Sequence, residues 1–335
     1  MASAQRIEIK IAIALGSALL LLLGGAASAE DVDHYPTRPV KMIVPFAPGG
    51  ASDFVGRIIQ PNLSEVLGQQ VVIENRPGAS GNIGVEAAAR SAPDGYTIVL
   101  GNVGSIAINP GVFPKLAADP LKDLVAVTQV VDVPGVLVAH PAFPPNSVKE
   151  FVAYAKANPG KVNYASPGSG SQNRLEMEKL RNAAGGLDMV HVPYKGGAGP
   201  AVSALVAGET HLMFVTASSA MPMIKSGRLK VLAVAAPKRL QPLPDVPTMS
   251  EAGYPAFETG SWQGVLVPAG TPKEVVERLY AATVKTMQTR EVRERLGQGG
   301  VEVVTSASPA AFEQFVADET ARWGKAAKEA GATVD

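Results

Sequence analysis

KMIVPFAPGGASDFVG, residues 41–56, is the stretch whose reading decides the fold. A β-prone run ends at Val44, a Pro- and Gly-rich turn covers 45–50, and the polar start of an apolar-periodic segment follows. That order reads as a strand, a tight loop and a helix N-terminus. Gly49 and Gly50 allow close approach to the backbone, and a helix start offers unpaired N–H groups with partial positive charge. The turn is a candidate anion seat. It has a counterpart at 191–197, HVPYKGG, against IVPFAPGG at 43–50. In both, Val-Pro precedes an aromatic, a short spacer and Gly-Gly, and a helical pattern follows. Two such seats, far apart in the chain, suggest two facing jaws.

Outward from the first seat, strand and helix patterns alternate. Apolar residues from Phe54 to Leu67 recur at helical spacing up to Gly68, with Pro61 inside as an expected kink or break. Strands are expected over 71–73 and 96–100, with a Gly-rich loop over 75–84 and a short helix over 85–90 between them. The alternation predicts a parallel sheet covered on both faces, with ligands bound beyond the carboxyl ends of its strands. Residues 124–139 hold two β-rich runs broken by Val133-Pro134-Gly135, read as a crossing into a second domain. There, Ser147 and Glu150 form a capping box, and a further βα series has strands at 162–165, 189–192, 212–215 and 230–235. Its helices are expected over 174–184 and 201–207, with loops at Ser166–Asn173 and Thr216–Ser219. Residues 237–257 carry five prolines and read as a return linker. A strand at 264–267 follows, then a helix start at Thr271-Pro272-Lys273-Glu274, helices over 273–287 and 309–330, and a short strand near 301–304. Two crossings make a hinge. The expected organisation is domain I from 30–130 plus 245–335 and domain II from 131–244.

The chain has 335 residues, enough for two domains, and its first 29 are not counted in either. Arg6 and Lys10 precede an apolar run over 11–23, and Ala27-Ser28-Ala29 fits a small-x-small cleavage rule. This predicts a signal peptide cut after Ala29 and a product free in the periplasm. The remainder carries 28 basic and 29 acidic residues, which argues against nucleic acid as a partner. There is no cysteine, so no thiol chemistry is available.

Seven stretches carry a resemblance: YPTRPVKMIVPFAPGGASD, VVIENRPGASGNIG, APDGYTIVLGN, KANPGKVNYASPGSGS, VPYKGGAGPAVSALVAGE, LPDVPTMSEAGYP and VPAGTPKEVVERL. In order and over nearly the whole mature chain, they resemble the Bug family of periplasmic solute receptors, the substrate-binding components of tripartite tricarboxylate transporters. The resemblance implies an α/β type II periplasmic-binding-protein fold, two doubly wound domains on a two-crossing hinge, closing on a small carboxylated solute. It implies integral membrane transporter subunits as partners and a monomeric receptor. It also implies that backbone amides and hydroxyls of strand-to-helix loops, rather than an arginine, hold the carboxylate. The family often has an acidic residue after the strand at 212–214; the uncharged Val215-Thr216-Ala217-Ser218 here disfavours an amino-acid ligand.

The candidate ligand-binding residues are therefore Phe46, Ala47, Gly49 and Gly50 in the first seat, and Tyr194, Lys195, Gly196 and Gly197 in the second. Ser105, Ser166, Ser171 and Thr216 join them from loops at strand ends. Phe46 and Tyr194 either clamp the apolar body of a ligand or simply pack. Lys195 either reaches into its seat or is solvated. Asp53 is expected to cap its helix, because a carboxylate beside an anionic ligand would repel it. Trp262 either lines the cleft or is buried in the core. A signalling sensor on the same fold and a secreted hydrolase using Ser169 or Ser171 are the alternatives. Against the hydrolase, the chain has no G-x-S-x-G elbow, no dinucleotide fingerprint and no Walker lysine. His34, His140, His191 and His211 show no metal-ligand spacing, so neither cofactor nor metal is expected.

Overall fold

The computed structural model describes residues 34–168, 171–194, 196–255, 257 and 260–329. The expected signal peptide, Ser169, Gly170 and Lys195 lie outside these residues. The chain divides into a short unit, Met1–Thr37, and a main unit, Arg38–Asp335. Every described strand and helix belongs to the main unit.

Strand β1 (Val40–Val44) leads through the first seat into helix α1 (Ala51–Leu67). Val55, Ile58, Ile59, Leu63 and Leu67 of α1 are buried against the sheet, about 1.5–3 kcal/mol of transfer free energy each. Gly68 closes the helix in the left-handed conformation, with φ 71°. Of the kink or break expected at Pro61, the break does not occur: α1 is continuous through it. Both Pro61 and Arg57, whose carbonyl loses its partner, face solvent, so water can serve the freed group. Strand β2 (Val71–Asn75), helix α2 (Asn82–Ala89) and strand β3 (Thr97–Asn102) come next. A π-helical turn at Gly104–Ile108 and the short helices α3 (Asn109–Val112) and α4 (Pro120–Asp123) lead to β4.

Strand β4 (Leu124–Ala139) corrects the expectation of two runs, because its 16 residues are continuous through Pro134. The reason lies in its pairing. Up to Pro134 it is antiparallel to β9 (Gly260–Pro268), and from Gly135 onward to β7 (Leu212–Thr216) and β8 (Lys230–Ala235). Proline falls where the partners change, so its missing N–H breaks no ladder. Register shifts at Ala126/Thr128 and Gln129/Val131 bend the strand just ahead of that point.

Beyond β4 come α5 (Val148–Ala157), β5 (Val162–Ser166), α6 (Gln172–Ala183), β6 (Met189–Pro193), α7 (Ala198–Val206) and α8 (Ala217–Lys225). Ser147 accepts from the Glu150 N–H, as the capping box predicts. The expected loop at 216–219 is instead the start of α8, where Thr-Ala-Ser-Ser hides a helix N-terminus. After β9, helix α9 (Lys273–Gln288) starts on Pro272, and the Thr271 hydroxyl donates to the Pro268 carbonyl rather than capping the helix. Helix α10 (Arg290–Gln298), which no sequence pattern set apart, precedes β10 (Glu302–Val303) and α11 (Pro309–Glu329).

The strands lie in the order β2-β1-β3-β9-β4-β7-β5-β6, with β8 and β10 also on β4. Three parallel strands stand at each end, β2-β1-β3 and β6-β5-β7, and antiparallel strands join them. This mixed, curled α/β sheet replaces the all-parallel expectation. Around the first half, Trp262, Phe312, Val316 and Trp323 anchor the core. Trp262 is 2% exposed, and its indole N–H, like that of Trp323, donates to Glu319 Oε2 at 3.0 Å. Trp262 is thus a core residue. Phe151, Tyr164, Phe214 and Phe257 fill one face of the second half, and apolar residues of α7 and α8 fill the other.

Candidate functional site

The two seats face each other and touch. The Ala47 N–H donates to the Gly196 carbonyl at 3.0 Å. A Cβ added to Gly199 would lie 2.6 Å from the Pro48 carbonyl oxygen, and one on Gly197 would lie 3.0 Å from the Phe46 ring. Gly49, Gly196 and Gly197 have φ of 87°, 98° and 99°, a region costly for other residues.

Asp53 shapes the first seat from behind. Its Oδ2 accepts from the Gly49 N–H at 3.0 Å, and its Oδ1 accepts from Arg57 Nε and Asn75 Nδ2, each at 3.0 Å. Asn75 Nδ2 also donates to the Phe46 carbonyl at 3.0 Å. Burial pushes the Asp53 pKa up, but the bonds from Arg57, Gly49 and Asn75 outweigh it and hold the carboxyl below its ordinary value. Asp53 is therefore a fixed anion that organises the turn.

Between the seats lies a cavity of about 50 Å³, lined by Phe46, Gly50, Ala51, Ser52, Ser80, Asn102, Val103, Gly104, Pro167, Ser171, Gln172, Asn173, Ala198, Thr216 and Ser261. At about 10–15 Å³ for each water centre, that volume suits a handful of solvent molecules or one compact solute. None of these lining residues is charged. Instead, the wall includes the starts of four helices: Ala51 and Ser52 of α1, Gln172 and Asn173 of α6, Ala198 of α7, and Thr216 ahead of α8. At α1, α7 and α8 no side chain caps the first N–H groups. Each terminus carries roughly half a positive charge, so their convergence makes an anion site without a cationic side chain.

Of the residues expected to bind ligand, Phe46, Gly50, Ser171 and Thr216 line this cavity. Ala47 and Gly49 line a groove on the outer side of the same seats, with Gly199, Pro200 and Met223. Gly196 and Gly197 form the contact between the seats. Three others are engaged elsewhere. Ser105 is fully buried and exchanges bonds with Asn102. Ser166, also buried, pairs with His191 Nε2 at 2.7 Å, and Tyr194 donates its hydroxyl to Glu209 at 3.0 Å. Burial, and after it Arg174 and Arg181, push the His191 pKa down to about 4, so the ring is neutral at neutral pH. Ser171 caps α6, accepting from the Arg174 N–H and donating to the Gly168 carbonyl at 2.7 Å. Among the described residues no group of His, Asp and Glu is placed to hold a metal ion.

Sequence reasoning missed Ser52, Ser80, Asn102, Gln172, Asn173 and Ser261. Ser52 comes directly after a recognised turn, and Gln172 and Asn173 close the loop expected over 166–173, so their position was a usable signal. Ser80 carried none. It sits in left-handed backbone with φ 55°, next to Ala79 at φ 45°, and its carbonyl accepts from Asn109 Nδ2 at 3.0 Å. Such strain, on the order of 1–3 kcal/mol per residue, collects at functional sites.

A curled mixed sheet whose strand-to-helix turns enclose a cavity between two halves of the chain defines a type II periplasmic binding protein, a solute receptor. The solved structures it superposes on include a periplasmic transporter and the periplasmic binding protein BugD. Residues 55–332 match the family described as tripartite tricarboxylate transporter family receptor, and the chain belongs to that family. It is 38% identical over 318 residues to Protein BugT of Bordetella pertussis, an alignment that covers 94% of this chain and 96% of BugT. MatC from Rhodopseudomonas palustris, solved with bound malate, is 36% identical with a TM-score of 0.81, over 87% of this chain and 99% of MatC. A second R. palustris protein, solved with adipate, is 36% identical with a TM-score of 0.86, over 90% of this chain and all of the other.

Proposed function

We propose that this receptor binds a small carboxylate in the cavity between the two seats and delivers it to membrane subunits of a tripartite tricarboxylate transporter. The observation that carries the reading is the convergence of four helix N-termini on a cavity lined by no charged residue. A carboxylate there accepts from backbone N–H groups and from hydroxyls such as Ser52 and Thr216. Charge-assisted bonds are worth about 1.5–3 kcal/mol each, and micromolar affinity needs about 8 kcal/mol net, so a few donors from each side suffice. The ligands of the R. palustris relatives, malate and adipate, support a carboxylate.

In this reading residues 30–130 with 245–335 form one domain and 131–244 the other, and the halves part about the partner change at Pro134–Gly135. Bond formation between Ala47 and Gly196 belongs to the closed state. The mature receptor, a periplasmic monomer, begins at Glu30. The test is a thermal-shift screen of residues 30–335, stripped of co-purified solute, against mono-, di- and aromatic carboxylates. A ligand at one hundred times its Kd adds about 2.7 kcal/mol, a shift of several degrees. A flat response to every acid would sink the proposal.

A further inference from the structure

We infer that the cavity selects carboxylates bearing a hydroxyl on the carbon chain, and that Gln172 reads that hydroxyl. The inference rests on the carboxylate reading above and narrows it. Gln172 is the first residue of α6, lines the cavity and is 3% exposed. Its side-chain amide has a donor end and an acceptor end, and Glu176 decides which end the cavity receives. Glu176, 1% exposed, accepts from Gln172 Nε2 at 3.0 Å on one oxygen and from Asn173 Nδ2 at 2.9 Å on the other. An ionised carboxylate only accepts. A reversed Gln172 amide would set its oxygen against Glu176 Oε1, so that contact holds the NH2 toward Glu176.

The consequence is a fixed acceptor. Gln172 Oε1 is buried and has no hydrogen-bond partner in the protein. A ligand carboxylate cannot satisfy it, because both groups accept. The donor must come from another part of the ligand. An ammonium fits poorly, because the surrounding helix N-termini present positive potential. A neutral hydroxyl meets the requirement. Across the first helical turn of α1, Ser52 Oγ is likewise buried, 2% exposed and without a partner. It can give its proton to a carboxylate or take one from a hydroxyl, so two independent side chains await polar atoms of a solute.

Isothermal titration of residues 30–335 with matched acids tests this: each enantiomer of malate against succinate, lactate against propionate, and 3-hydroxybutyrate against butyrate. A buried acceptor that gains a donor is expected to favour a hydroxy acid by about tenfold over its partner, with one malate enantiomer preferred. Gln172→Met keeps the length and removes the oxygen, so the ratio within each pair should fall to about one. Glu176→Gln frees the amide to turn and should shrink the ratio too, which marks Glu176 as a positioning residue. Equal binding of both members of every pair by the unaltered protein would overturn the inference and leave the carboxylate reading standing. So would a ratio that survives Gln172→Met. Binding of none of these acids would overturn the carboxylate reading itself, and this inference with it.

Discussion

Replacing Gly199 by alanine tests the contact between the seats without disturbing either half. Gly199 lies in the first turn of α7 and is not in the left-handed region, so alanine meets no backbone strain there. Helix propensity favours the change by up to about 1 kcal/mol. The added Cβ, however, would stand 2.6 Å from the Pro48 oxygen, below the 3.0 Å that real Cβ atoms respect. That oxygen is backbone and cannot rotate away. The seats must separate by several tenths of an ångström, which also stretches the 3.0 Å bond from Ala47 to Gly196. Overpacking of this kind costs about 1–3 kcal/mol. If the halves part as proposed, the strain is felt only in the closed state and is expected to weaken ligand binding by about 5- to 150-fold. The assay is isothermal titration with the acid that gives the largest thermal shift, beside the melting midpoint of the ligand-free protein. The midpoint is expected to stay within about 2–4 °C of the unaltered protein or to rise. Gly68→Ala is the control, since it has φ 71° and nothing within 4 Å. It should lose about 1 kcal/mol of stability and no affinity. Affinity within twofold of normal for Gly199→Ala, or a collapse of its midpoint, would refute the apposed-seat geometry.

The packing leads to three further outcomes. Asp132 and His191 oppose each other in pH dependence. Burial, Glu302 on β10 and Glu319 on α11 raise the Asp132 pKa to about 6 against the pull of Val133 N–H and Arg322. Between about 4 and 6 the native state thus holds more protons at Asp132 than the unfolded chain, and stability falls as pH rises, by about 3 kcal/mol in all. At His191, with its pKa near 4, the unfolded chain holds the extra proton between about 4 and 6.5, and stability rises with pH by about 2 kcal/mol after solvent screening. Asp132→Asn should therefore unmask a rise in urea midpoint from pH 4.5 to 6.5 that the unaltered protein nearly cancels; equal slopes for both would contradict the assignment. Pro61→Ala on the exposed face of α1 should restore a helical bond and raise stability by about 1–3 kcal/mol in urea, and a loss would mean the helix needs its proline. Glu319→Ala strands two buried indole N–H groups and is expected to cost about 2–5 kcal/mol, with a change under about 0.5 arguing against the shared acceptor.

The strand–turn–helix units were legible because each is local: apolar runs, glycines and capping residues stand next to one another in the chain. Val40–Val44, Lys230–Ala235 and the turn between Val44 and Ala51 needed no partner to be recognised. The continuity of β4 was not legible, since Val-Pro-Gly signals a break unless the change of neighbours at Pro134 is known. The same division holds for the cavity. Phe46, Gly50, Ser171 and Thr216 sit in turns whose role is written in their own sequence. Ser80 and Asn102 fall in loops at strand ends where ligands are expected, but no local pattern singles them out, and Ser261 comes to the wall only through the packing of β9. Glu176 was invisible for a different reason. In sequence it is one more acidic residue on a helix, and only its burial makes it the group that orients two amides.

The path of β9 sets the order in which this molecule can assemble. The strands of the second half, from Gly135 to Ala235, are consecutive in the chain and can pair as soon as they exist. The first half cannot close, because β3 and β4 both need β9, whose pairing residues begin at Gly260. Loop closure over so long a separation is slow. Until nearly the whole chain is made, β1, β2 and β3 stand as an open three-stranded fragment with a bare edge. A nascent polypeptide in that condition keeps its first half open until Gly260 and the strand that follows it have been made.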